Sequence, residues 1–113
     1  MTIDFKGLNM ELTDAIKARV QEKMDGLAKL TAGFDQVANA QVEVGKTSHH
    51  HNKGQVFRCE INLRAPGGEL RAEEEREDLY EAIDVAVGEM KRLLVERKER
   101  LDERGNGPRP GKE

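Results

Sequence analysis

In the segment GQVFRCEINLRA, residues 54–65, apolar and polar side chains alternate from Phe57 to Arg64. Phe57, Cys59, Ile61 and Leu63 fall on one side of an extended chain, and Arg58, Glu60, Asn62 and Arg64 on the other. Only a strand keeps those two sets apart. Its sheet must be dry on one face and wet on the other, and the dry face needs a second layer of apolar structure against it.

The flanking sequence supplies both sheet and cover. TIDFKGLN alternates Ile3 and Phe5 with polar neighbours and reads as a short first strand. Thr13 is placed to cap a helix, with Asp14 favourable in its first turn. Leu12, Ile16, Val20, Met24 and Leu27 then recur at three- and four-residue steps as its buried stripe, and Gly33 is the expected stop. VANAQVEVG puts Ala38, Ala40, Val42 and Val44 on one face of a second strand. After the alternating third strand, Pro66-Gly67-Gly68 turns the chain, and ELRAE returns with Leu70 and Ala72 inward. The segment EDLYEAIDVAVGEMKRLLVERKERL is a long closing helix, its stripe Leu79, Ile83, Val87, Met90, Leu94 and Leu101.

The order is β-α-β-β-β-α, an α+β two-layer sandwich with a four-stranded mixed sheet. Strands two to four form an antiparallel meander, and strand one joins as a parallel neighbour through a right-handed crossover. Both helices cover the same face. Charged residues make up 36% of the 113 and aromatics 4%, so the single core is aliphatic. Its expected lining is Ile16, Val20, Leu27, Phe57, Ile61, Leu63, Ile83, Val87 and Met90. The domain is expected over residues 1–103 and a disordered tail, rich in Gly, Pro and charge, over 104–113. No apolar run approaches the ~20 residues of a membrane span, and MTIDFKG lacks a signal peptide's order. With a single cysteine, Cys59, the chain suits a reducing cytoplasm, and a monomer is expected.

The formal net charge is −3, yet the last helix crowds Lys91, Arg92, Arg97, Lys98 and Arg100 towards its end. Several cations on one rigid surface are what phosphate binding requires. A plainer reading is that they complement the helix dipole, as Glu77, Asp78 and Glu81 do at the other end. On the first helix Lys17, Arg19 and Lys23 add charge, Arg19 and Lys23 being neighbours on one face beside Glu22.

Other features point away from catalysis. No nucleophile stands with a base, no carboxylate pair is set apart, and no cofactor fingerprint is present, so neither an enzyme nor a bound cofactor is expected. Consecutive histidines such as His49, His50 and His51 converge poorly on one ion, and no Cys or Asp completes a ligand set, so no metal is expected. A polar hairpin tip is the plain reading of that loop, with RNA contact through Lys46, His50 and Lys53 as a further reading. Cys59 points inward as a small core residue, and Tyr80 reads as a packing residue beside the apolar stripe. The outer sheet face lacks aromatic stacking residues, and Gly67-Gly68 lacks phosphate-loop spacing.

Four motifs, in this order and spacing, carry a resemblance. They are Gly7, Asn9, Glu11, Thr13, Ala15 and Ile16 in the opening; Lys23 with Leu27; the hairpin PGGELRA; and EDLYEAID, the most specific piece. Over roughly residues 2 to 101 the chain resembles the ribosome hibernation promoting factor and ribosome-associated inhibitor family, also called the sigma-factor modulation family. The resemblance implies a fold similar to a double-stranded RNA-binding domain. It also implies binding to the small ribosomal subunit in the channel shared by messenger RNA and transfer RNA anticodons, which blocks translation in idle ribosomes. The chain is similar to the short, single-domain members. With it, Arg19, Lys23, Lys91, Arg92, Arg97, Lys98 and Arg100 become the expected ribosomal RNA contacts, Lys23 at a basic family position. The chain departs from the pattern at Glu89 and Glu96, where short members commonly carry lysines, and at Val95. Leu93 and Val95 add apolar surface outside the main stripe, which motivates the alternative of a protein-interaction regulator without RNA binding.

Overall fold

The computed structural model describes residues 2–30, 39–47 and 56–105. Its elements are β1 (Thr2–Leu8), α1 (Asp14–Ala28), β2 (Asn39–Thr47), β3 (Val56–Ala65), β4 (Gly68–Arg76) and α2 (Leu79–Gly105). The strands lie side by side in chain order, β1 parallel to β2 and the other pairs antiparallel. This is the mixed four-stranded α+β sheet that the alternation demanded.

Register explains the dry face. Val42, Ile61 and Ala72 stand in one row across β2, β3 and β4, and Ala40, Leu63 and Leu70 in the next. All six are buried, as are Ile16, Val20, Met24 and Leu27 of α1 and Ile83, Val87, Met90 and Leu94 of α2. Both helices therefore cover one side of the sheet. Ala82 and Ala86, outside the expected stripe, are also fully buried; their small side chains allow close packing around α2. Of the expected core, Phe57 is a correction, since it is only partly buried. It is registered against Lys46 and Arg76, whose charged ends keep that corner of the sheet in water.

Local chemistry fixes the ends. The Thr13 hydroxyl accepts a hydrogen bond from the Ile16 amide at 3.2 Å, the expected cap of α1. Asp78 does the same for α2: its side chain accepts from the Tyr80 amide at 3.0 Å and its carbonyl from the Ala82 amide at 2.9 Å. Gly67 and Gly68 turn β3 into β4 at φ values of 89° and 124°, which explains glycine at both. Asn9 adopts φ 57° between β1 and α1, and its side chain donates to the Lys46 carbonyl at 3.0 Å. Asn9 thus has a backbone role, clamping the exit of β1 to the end of β2.

The expected helix stop at Gly33, the first residue of the second-strand face (Ala38), the loop histidines and Lys53 lie outside the described residues. So does most of the expected tail, although α2 itself runs to Gly105. Among the described residues no helix is long and apolar enough to cross a membrane.

Candidate nucleic-acid interface

The length of α2 bears directly on its cations. A helix dipole acts within the terminal turn. Lys91 and Arg92 precede the end of α2 at Gly105 by more than about three turns, so the dipole does not account for them.

The two helices meet along a seam that gathers charge. Arg19 of α1 reaches Asp84 of α2 through two hydrogen bonds, Nη2 to Oδ2 at 2.9 Å and Nε to Oδ1 at 3.4 Å. Lys23, one turn further along α1, lies 3.8 Å from Oδ1 of the same carboxylate. The Arg19 guanidinium also lies over the Tyr80 ring, 5.2 Å from its centroid. Tyr80 is thus an exposed residue under a cation rather than the packing residue its place beside the stripe implied. The hydrogen bond to Asp84, ahead of the carboxylate's charge, raises the pKa of Arg19 above its ordinary value. Two helical turns beyond Asp84 on the same flank comes Lys91, and two turns further Lys98. Lys91 is exposed and Lys98 half-buried, and neither joins an ion pair among the described residues. Arg19, Lys23, Lys91 and Lys98 therefore form a lane of positive charge along one side of the helical layer.

The remaining expected cations are held elsewhere. Arg92 lies on the exposed face of α2 between two acids. Its Nη2 donates to Glu89 at 2.5 Å, its Nε to the other oxygen of Glu89 at 3.2 Å, and its Nη1 to Glu96 at 2.5 Å. The hydrogen bond from Arg92 holds the Glu89 carboxyl below its usual range. Arg97 turns towards the β3–β4 hairpin, where its Nη1 donates to the carbonyls of Pro66 at 2.6 Å and Gly68 at 2.9 Å. Arg100 is exposed on the flank away from Lys91 and Lys98.

The outer face of the sheet has the opposite character. Arg58 at its centre is closed in by Glu60 at 2.7 Å, Glu43 at 3.2 Å and Glu73. Asn62 donates to Glu60 at 2.9 Å, and that bond is the first cause holding the Glu60 carboxyl below its ordinary range. Arg58 and Asn62 therefore face carboxylates and make no cradle for an anion. Below them Cys59 is fully buried, and burial pushes its thiol up to about 12.

Sequence reasoning picked out the cations of the lane but missed Asp84, the residue that organises its first half. The signal was present: Asp84 closes the octapeptide EDLYEAID, one turn after Tyr80. What could not be read was its pairing partner, because Arg19 lies far away in sequence and only helix packing joins them.

A solved ribosomal subunit interface protein from Coxiella burnetii shares this architecture, with a TM-score of 0.69 over 88% of this chain and 99% of that one. At 20% identity the likeness is one of fold. The N-terminal domain of Protein Y from Thermus thermophilus is similar at 35% identity, with a TM-score of 0.61 over 83% of this chain and 96% of that one. In sequence, the chain is 32% identical over 112 residues to a ribosome hibernation promoting factor of Azotobacter vinelandii, covering 97% of this chain and 94% of that protein. Residues 3–102 match the family described as sigma 54 modulation protein / S30EA ribosomal protein, and the chain belongs to that family.

Proposed function

We propose that this protein is a ribosome hibernation factor: a cytoplasmic, non-catalytic monomer that binds the small ribosomal subunit in the messenger and transfer RNA channel and holds translation off. Membership of the family and the names of its relatives support the ribosomal role. The observation that carries the contact surface is the lane of Arg19, Lys23, Lys91 and Lys98 along the helical layer, opposite a sheet face whose central arginine is surrounded by acids. One flank attracts phosphate and the opposite face does not, so an acidic protein can bind RNA in one orientation. Arg92, on the exposed face of α2 beside the lane, is its outer margin; Arg97 and Arg100 face elsewhere.

The test is a salt titration of binding to purified small subunits, wild type against a Lys91→Gln/Lys98→Gln variant. Removing one cation that neutralises a phosphate should flatten the slope of log affinity against log salt by roughly 0.7–0.9. The double variant is expected to bind more weakly with a slope shallower by more than about one. Equal slopes and affinities would remove the lane from the interface. The second reading, a protein-interaction regulator, rests on the exposed Val95; it predicts a stable complex that survives ribonuclease.

A further inference from the structure

Three of the cations in the lane and its margin are held by acids. Asp84 lies between Arg19 and Lys23, and Glu89 and Glu96 grip Arg92 from both sides. These carboxylates make the hydrogen bonds to guanidinium groups, and in Lys23 the ion pair to an ammonium at 3.8 Å, that phosphate oxygens make in a complex with RNA.

We propose that Asp84, Glu89 and Glu96 are specificity-determining residues that act as internal stand-ins for phosphate, weakening binding to generic duplex RNA more than binding to the ribosomal site. The inference rests on the ribosomal reading above and deepens it. Each acid acts through the cation it holds. A regular RNA duplex meets these cations with the phosphate rim of its backbone, its 2′-hydroxyls lying in the minor groove. It must displace the carboxylates from Arg19, Lys23 and Arg92, and it then leaves those negative charges beside its own. A folded ribosomal surface exposes 2′-hydroxyls and base amino groups beside its phosphates at loops and bulges, where they can donate to the displaced carboxylates. The acids thus penalise the regular duplex and leave a shaped site able to satisfy them.

The size of the penalty follows from charge alone. A carboxylate left roughly 7 Å from a phosphate in water weakens binding about two- to threefold, before screening by salt. Glu89 and Glu96 together should therefore account for roughly a fivefold loss on duplex RNA. Their side chains are 33% and 47% exposed, so uncharged replacements leave the fold in place.

The experiment measures binding of the wild type, Glu89→Gln/Glu96→Gln and Glu89→Asp/Glu96→Asp to two probes, a generic 20-base-pair RNA duplex and purified small subunits, across a salt series. The Gln variant should bind the duplex about fivefold more tightly with a steeper salt slope, and small subunits less than twofold more tightly. The Asp variant, which keeps the charge, should restore wild-type discrimination. Asp84→Asn should shift duplex binding in the same direction as the Gln variant. Duplex affinity and slope unchanged in the Gln variant would overturn the inference whatever the subunits show. Equal tightening on both probes would overturn it as well. A wild type that ignores small subunits, with the duplex affinities still ordered as expected, would instead refute the ribosomal reading.

Discussion

Arg97 separates a structural cation from an RNA-binding one, and its replacement by Met is the informative change. Methionine keeps an unbranched apolar stem and removes the donor that holds the carbonyls of Pro66 at 2.6 Å and Gly68 at 2.9 Å. Those carbonyls flank Gly67, whose φ is 89°, so the bonds tie the tight turn of the hairpin to α2. A hydrogen bond from a charged donor contributes about 1.5–3 kcal/mol when well shielded. Here one bond is partly buried and the other exposed, so about 1–2 kcal/mol for the pair is the reasonable magnitude. The helix dipole adds little, because Arg97 stands about two turns before Gly105. At ~4–8 °C per kcal/mol for a domain of this size, the melting temperature should fall by roughly 5–15 °C. Far-UV circular dichroism on heating, with urea midpoints alongside, measures this directly. The salt slope of small-subunit binding should stay near that of the wild type. Unchanged stability together with a flatter slope would refute the reasoning and return Arg97 to the phosphate-binding surface.

Ile61 is fully buried in the row between Val42 and Ala72, so Ile61→Ala should lose about 2–5 kcal/mol in chemical denaturation; a loss below about 0.5 kcal/mol would contradict the face assignment. Cys59 gives a pH signature: its folded pKa, pushed to about 12, lies above the unfolded value of about 8.5, so the unfolded chain releases its proton first. The resulting stability is fully present below about pH 8.5 and is lost as pH rises towards the folded value. Wild type should therefore lose stability more steeply between about pH 9 and 11 than Cys59→Ala does, whatever its stability at neutral pH. Parallel pH profiles for the two proteins would show that the thiol is not shielded.

Much of this molecule was legible in the order of its residues because the governing rules are local. Alternation from Phe57 to Arg64 dictated a strand with one dry face, and the stripes of Ile16, Val20, Met24 and Leu27 and of Ile83, Val87, Met90 and Leu94 dictated helices to cover it. Thr13 announced its helix start, and Pro66-Gly67-Gly68 its hairpin. The family pattern, too, is a property of residue order. What sequence could not decide was the assignment of charge. Arg92 and Lys91 are neighbours in the chain, yet one is held between Glu89 and Glu96 while the other stands on the seam flank. Arg97 looked like one more member of a basic cluster until the hairpin came to lie beneath it. Arg19 acquired its partner only when α1 packed beside α2 and brought Asp84 to 2.9 Å. A cation's tendency to seek an anion is written in its chemistry, but which anion lies within a few ångströms is set by packing between elements distant in sequence. Tertiary structure alone therefore decides which charges remain available to a partner.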